Sequence, residues 1–271
     1  MKNTTKLFSL LLVVTAFITS CSKDPDIGNF RSNNYSIKSI ITKGKTSAKY
    51  NYNANGKLNE FQSIYSCDKY DYDETGRLVK LEYAIDPGIF SSSMPTKTTL
   101  MTSQNSTFTG RYIFEYNSAG QLVTKKSYAK KNGQFEYTSM TSLEYEGNQI
   151  VKSSLHNAQN IITQYYTYEY DSRGNVANEK YFSFLPLTGS ESKLISEVSF
   201  KYDDKNNPFI IQRALGQPGI YTNTNNPIET NTILYEDVPG IDKFSSTTTT
   251  YEYNDKGFPI KVNGTDEYKY E

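Results

Sequence analysis

The chain has 271 residues with 29 basic and 29 acidic side chains, and 36% of it is hydrophobic, but 24 of those hydrophobic residues are Tyr. So thin an aliphatic supply excludes a thick aliphatic core and suits broad sheets faced with amphipathic aromatics. Balanced charge without a basic stripe excludes nucleic acid as a partner, and one His with no Trp leaves few tools for catalysis or ligand stacking.

The N-terminus, MKNTTKLFSLLLVVTAFITSC, places Lys2 and Lys6 ahead of an apolar run from Leu7 to Ile18. That run is shorter than the roughly twenty residues a membrane-spanning helix needs. Residues 1–20 have the layout of a secretory signal. Ile18-Thr19-Ser20-Cys21 resembles the bacterial lipobox, in which the chain is cut before the Cys and the new terminus is acylated. The resemblance implies lipidation at Cys21 and a membrane as partner, because several acyl chains hold firmly at about 0.8 kcal/mol per buried CH₂. The alternative is an ordinary signal whose Cys21 pairs with Cys67. A Cys at a cut site is a poor place for a disulfide, so Cys67 is expected to be an unpaired packing residue. Residues 21–34 are polar, carry Pro25 and Gly28, and read as a flexible tether. Lys23, Asp24 and Asp26 loosely resemble the signal that sends some Bacteroidota lipoproteins to the outer face of the outer membrane. A plain linker explains them as well.

From residue 35 onward one phrase recurs: Tyr, then Asn or Asp, two polar residues, Gly, and an aliphatic residue two places later. The copies open at Tyr52, Tyr72, Tyr116, Tyr170 and Tyr253 and carry Gly56, Gly76, Gly120, Gly174 and Gly257. A copy at Tyr145 is shortened to Gly147-Asn148, and one at Tyr202 has Asn206 where the others have Gly. Alternating aromatics mark a strand end, and Asn or Asp opens a turn by accepting from backbone N–H groups. Gly closes the hairpin at positive φ, a conformation that Asn206 is expected to take itself. Lys131-Asn132-Gly133 reads as a further turn. The phrase is a β-hairpin written seven times. Residues 35–271 form a single all-β domain, an up-and-down antiparallel meander of roughly sixteen strands. So many strands curve strongly or become barrel-like. Charges inside LVTKKSYAK and IVKSSLH argue against a lipid-facing band, so the domain is read as soluble.

Two stretches break the rhythm, Asp86–Gly110 and Leu215–Ser246. Both exceed an ordinary hairpin connection, and long loops on a rigid sheet tend to carry binding residues. Phe90 and Tyr221 are the candidate ligand contacts. Phe209–Leu215 reads equally as a helical turn or a strand.

The phrase Y-x-Y-D-x-x-G-N/R-L/V resembles the YD repeats of bacterial RHS-type proteins, which wind into β-sheet shells. The lipobox, the hairpins, DDKNNPF (203–209), TNNP (224–227) and TTYEYNDKGFPIKV (249–262) together resemble a Bacteroidota lipoprotein family of unknown function described as porin-like in fold. The resemblance implies a curved antiparallel sheet in an envelope protein and supplies no catalytic residues.

Other motifs are weaker. Asp71-Tyr72-Asp73-Glu74-Thr75-Gly76 with Glu82 nearly matches a calcium loop. Thr75 stands where Asp or Asn is wanted, and carboxylates capping a turn explain the run. His156 has no nucleophile elbow to serve, and no metal or cofactor motif is present. The Tyr bands are either cross-strand packing, at about 0.2–1 kcal/mol per pair, or a stacking platform for a glycan. Packing is favoured because aromatics suit strands. The reading is a lipid-anchored, outer-membrane envelope protein, periplasmic or surface-exposed, with a non-catalytic binding or structural role. Its expected partner is a glycan or an envelope protein. The alternatives are a glycan-binding accessory of a surface uptake system and a hydrolase using paired carboxylates.

Overall fold

A computed structural model describes residues 35–90, 99–184, 191–236, 240 and 242–271, with the backbone alone at Ile89 and Phe90. The signal, the tether and Cys21 lie outside the described residues. The first half contains β1 (Ile37–Thr42), β2 (Lys45–Tyr52), β3 (Leu58–Ser63), β4 (Ser66–Tyr72), β5 (Leu78–Ile85), β6 (Gly110–Tyr116), β7 (Leu122–Lys131) and β8 (Gln134–Glu146). There follow β9 (Gln149–Asn157), β10 (Ile162–Tyr170), β11 (Val176–Phe184), β12 (Ser192–Tyr202), β13 (Pro227–Leu234), β14 (Phe244–Thr248), β15 (Tyr251–Tyr253), β16 (Pro259–Val262) and β17 (Asp266–Tyr270). The described residues thus form seventeen strands where the turn spacing suggested about sixteen.

All seventeen strands belong to one antiparallel up-and-down sheet. β1 pairs with β2 on one side and with β17 on the other, so the first and last strands are hydrogen-bonded neighbours. β14 pairs with β13 and β15 with β16; among the described residues no ladder joins β14 to β15, and the sheet is not closed.

The turns follow one scheme. At Asn53, Asp73, Asn117, Asp171 and Asn254 the backbone N–H donates to the carbonyl four residues on, and the glycine N–H donates back to the opening residue. The opening side chain accepts from the N–H that follows the glycine, as in Arg77 N–H to Asp73 Oδ1 at 2.8 Å. Gly56, Gly76, Gly120, Gly174 and Gly257 have φ of 73°, 83°, 84°, 83° and 75°. One copy escaped the sequence reading. Asn157-Ala158-Gln159-Asn160 makes the same bonds, with Asn160 at φ 63° in the glycine position. It lacks the preceding Tyr and the Gly that mark the others.

The expectation for Asn206 is overturned: among the described residues, those other than Gly at positive φ are Lys43, Asn132, Asn160 and Asn263. The reason is an insertion. Asp203 N–H donates to the carbonyl of Asn226, and Asn226 N–H donates to Asp203 Oδ1, the pairing that Asp171 and Asn175 make in an ordinary copy. Tyr202 then faces Pro227 as Tyr170 faces Val176. Residues 204–225 are thus spliced into a turn. Pro208–Leu215 within them is a 3₁₀ helix, begun by Asn207, whose side chain accepts from Phe209 N–H, and ended by Gly216 at φ 59°.

A row of phenols ties each hairpin to an earlier one. The hydroxyls of Tyr72, Tyr116, Tyr145, Tyr170 and Tyr202 donate to the carbonyls of Leu58, Leu78, Leu122, Ile150 and Val176, at 2.7–2.8 Å. Tyr52 and Tyr270 do the same to Ile37 and Pro259 at 2.6 Å. Each acceptor after a turn belongs to the first residue of the returning strand, or to the second at Ile150, beside a register shift in the ladder. Leu58, Leu78, Leu122, Ile150 and Val176 are themselves buried. Tyr253 departs from the series, donating to the Asp203 carboxylate, and Tyr251 takes the Pro227 carbonyl at 3.0 Å.

Two substitutions separate these contributions. A Cβ on Gly174 would meet nothing within 4 Å, so Gly174→Ala tests backbone strain alone and should cost about 1 kcal/mol or more. Tyr72→Phe keeps the ring and removes one donor, for about 1 kcal/mol. Urea denaturation of both variants measures this; unchanged midpoints would refute the reading of the repeat.

Candidate functional site

The insertion packs against strands from several parts of the sheet. Phe209 lies against the rings of Tyr50 on β2, at 6.5 Å, and Tyr268 on β17, at 5.8 Å. Gln212 is buried and donates to the Tyr70 hydroxyl on β4 at 3.2 Å. Gly216 sits so close to β7 and β8 that a Cβ there would come within 2.7 Å of Leu122 and 3.1 Å of Leu143. Asparagines hold the insertion to the sheet. The Val176 N–H donates to Asn223 Oδ1, Asn175 and Asn225 exchange hydrogen bonds, and Asn207 donates to the Asn223 carbonyl. The sequence marked DDKNNPF and TNNP as distinctive; the structure joins them as the two sides of one stem.

Two cavities flank this insertion. The larger, about 1160 Å³, lies between the 3₁₀ helix and the turns. Tyr52, Tyr72, Tyr116, Tyr145 and Tyr170 form one wall, and Ile210, Ile211 and Arg213 approach from the helix. Its charged lining is Lys57, Arg77, Arg173, Arg213 and one carboxylate, Glu271. The Lys57 ammonium lies over the Tyr72 ring at 5.3 Å and donates to the Gly76 carbonyl, and Arg77 lies over Tyr116 at 5.2 Å while paired with Asp73 at 2.9 Å. Arg173 pairs with Asp171 at 3.5 Å. Arg213 makes no ion pair among the described residues. Burial pushes the Tyr116 phenol up to about 12 and raises those of Tyr52, Tyr72 and Tyr170. The phenols therefore remain protonated donors. The turns, expected to serve backbone geometry alone, also edge this cavity.

The smaller cavity, about 320 Å³, is lined by Asp68, Tyr83, Tyr112, Lys125, Leu215 and Tyr221 among others. Tyr221, a candidate contact from sequence, is therefore beside a cavity. Phe90 closes the short 3₁₀ turn Pro87–Phe90, and its side chain lies outside the described residues. Residues 101–103 pack on the face of β3 and β4 opposite Tyr70. There Met101 N–H donates to the Ser63 carbonyl and Ser103 N–H to Glu60. On that face Cys67 is fully buried, and its thiol contacts the Glu60 carboxylate at 3.4 Å. Burial pushes the Cys67 thiol up to about 12, as befits a packing residue. Nothing in the composition pointed to Asp68 or Lys125. Both sit in strands dense with charge, and only the pleat shows which charges turn inward.

The remaining motifs resolve locally. Asp73 accepts from Thr75 and Arg77 within its own turn, whereas Asp71 and Glu82 both pair with Lys80, so the carboxylates of the calcium-like run face separate partners. His156 Nε2 lies 2.9 Å from Ser142 Oγ across the β8–β9 ladder. His156 Nδ1 is buried and has no hydrogen-bond partner among the described residues.

Burial lifts the Asp68 carboxyl from 3.8 to about 7. Between those values the folded chain holds a proton that the unfolded chain has lost. The associated stability is fully present below about pH 4 and is lost as pH rises through about 7. Asp68→Asn should thus gain about 1–3 kcal/mol over wild type at pH 8 and little at pH 4. Urea melts at the two pH values check this, and an equal difference at both would refute it.

No family model and no curated protein matches the chain. Among solved structures, a porin-like protein from Bacteroides vulgatus ATCC 8482 aligns with TM-score 0.51 and 11% identity, over 87% of this chain and 99% of its own. A porin-like protein from Bacteroides uniformis ATCC 8492 covers 88% of this chain and 95% of its own at 13% identity, with TM-score 0.36. The Photorhabdus luminescens Tc holotoxin pore covers 82% of this chain and 9% of its own at 14% identity, with TM-score 0.28. The first shares the fold of this chain; the other two scores are too low to carry an argument.

Proposed function

We propose that this chain is a lipid-anchored, non-catalytic binding protein of the bacterial envelope. Its sheet wraps, barrel-like, around the 204–225 insertion, and a ligand occupies the larger cavity. Contacts made by the 3₁₀ helix support the wrapping. β2 and β8 stand six strands apart, about 29 Å across a flat sheet at about 4.8 Å per strand. An eight-residue 3₁₀ helix spans only about 16 Å, yet its two ends and Gly216 reach both. The pairing of β1 with β17 supports the same shape.

The face opposite the tyrosines carries cross-strand ion pairs, including Lys80–Asp71, Lys152–Glu144 and Lys201–Glu229. Such a face suits water better than lipid, which supports anchoring through acylated Cys21 rather than through the strands. The fold shared with a porin-like Bacteroides protein is compatible with an envelope setting.

The observation that carries the binding reading is the combination, in one large cavity, of a tyrosine wall with Arg213, a half-buried cation without an ion pair among the described residues. Sugars stack their apolar faces on aromatic rings, and an unpaired guanidinium takes a carboxylate or sulfate in bidentate fashion. An acidic glycan is therefore the first ligand class to test. Among the described residues each cavity is lined by one acidic side chain, Asp68 in one and Glu271 in the other, which disfavours paired-carboxylate hydrolysis.

Two measurements test this reading. Acidic and neutral oligosaccharides are titrated into wild type and Arg213→Gln. An acidic ligand should bind wild type and weaken about tenfold in the variant, while equal affinity in both would remove Arg213 from the site. Cys21→Ser should move the protein from the membrane to the soluble fraction on cell fractionation; full membrane retention without a lipid adduct by mass spectrometry would sink the anchor.

A further inference from the structure

The smaller cavity contains an arrangement that the proposed glycan site does not use. Asp68 on β4 and Lys125 on β7 share the inward face. Asp68 faces Tyr83 across its ladder and Lys125 faces Phe114 across its own. Tyr83 stacks on Tyr112 at 5.2 Å, and the Lys125 ammonium lies over the Tyr112 ring at 5.3 Å. Both charged groups and both rings line the same 320 Å³ space. Neither Asp68 nor Lys125 makes an ion pair with the other, or a side-chain hydrogen bond, among the described residues. Removal from water disfavours the charged form of each, lifting Asp68 to about 7 and lowering Lys125 to about 8.

Two opposite charges, both half-buried and both without an ion partner among the described residues, are costly to keep at the edge of one cavity. A ligand with one charge would satisfy one group and leave the other uncompensated. A ligand with an ammonium at one end and a carboxylate at the other satisfies both and leaves the cavity neutral. The volume sits at the lower end of the roughly 300–1,000 Å³ typical of ligand pockets, which limits that ligand to one or two residues. The remaining lining suits such a molecule: Leu81, Ile85 and Leu215 for a side chain, and Ser66 and Gln217 for polar atoms.

We propose that this cavity binds a small zwitterion of amino-acid to dipeptide size, its ammonium held by Asp68 and its carboxylate by Lys125, against the wall of Tyr83 and Tyr112.

Calorimetric titration tests this with glycine, L-alanine, L-lysine and L-alanyl-L-alanine as probes, and propionate and propylamine as singly charged controls. A pH of about 7.5, between the two values above, keeps most of both side chains charged. At least one zwitterion should bind about tenfold more tightly than either control. Asp68→Asn and Lys125→Met should each weaken it about tenfold, and Arg213→Gln should leave it unchanged. The proposal is overturned if no probe binds wild type at concentrations up to about 10 mM. It is also overturned if the controls bind as well as the zwitterions, or if variants with native circular dichroism bind like wild type. Should either variant fail to fold, the wild-type comparison of zwitterions with controls decides alone. Because the two cavities are separate, loss of glycan binding and loss of zwitterion binding are independent results.

Discussion

The fold depends on one repeated hydrogen bond, from a tyrosine hydroxyl to a carbonyl at the start of an earlier returning strand. A glycine-closed turn shifts the register by one residue and disrupts the ladder beside it. That leaves a backbone group to be satisfied in a place where the strand-opening side chain is buried. The phenol supplies the donor and its ring covers the aliphatic residue below. Because these five bonds each run to an earlier hairpin, each of these copies of the phrase fixes its own place in the sheet. Tyrosine, unlike phenylalanine, serves here because its ring packs while its hydroxyl bonds. A chain poor in aliphatic residues builds a core this way.

The insertion works where that rhythm is broken. Its stem reproduces the hydrogen bonds of an ordinary turn, with Asn226 standing where Asn175 stands in the copy before it. The sheet therefore proceeds past the interruption in register. Inside, the structure changes from tyrosines to asparagines. Asn175, Asn207, Asn223, Asn225 and Asn226 are all buried, and their amides are matched to backbone groups and to one another. A network in which each polar group is paired can be rigid enough to hold a 3₁₀ helix against distant strands. The insertion separates the two cavities, and each borrows residues from it.

Those cavities differ in chemistry. The larger is aromatic and cationic, with most of its cations already engaged by turn carboxylates or rings and Arg213 left over. The smaller is compact and holds one charge of each sign. Both lie on the tyrosine face, while the opposite face carries cross-strand ion pairs and, near β3 and β4, the loop that covers Cys67.

Much of the fold was legible in the sequence. The all-β meander follows from Tyr, Asn or Asp, and Gly at fixed offsets, because each residue type has a local backbone reason to be there. Cys67 as a packing residue and the capping role of Asp73 were readable for the same reason. The Asn160 turn was not, since a copy without its Tyr and Gly keeps the hydrogen bonds and loses the signature. Asn206 was misread because the sequence reports a missing glycine and not the 204–225 insertion that replaces it. The sites were less legible still. Tyr221 stood out by lying in an irregular stretch, but Asp68, Lys125 and Arg213 look like any of the chain's many charges. Local sequence alone determined where the glycine-closed turns fall, since such a turn is decided within five residues. Which side chains share a cavity depends on strands that meet only through the ladder, so the tertiary structure alone decided that.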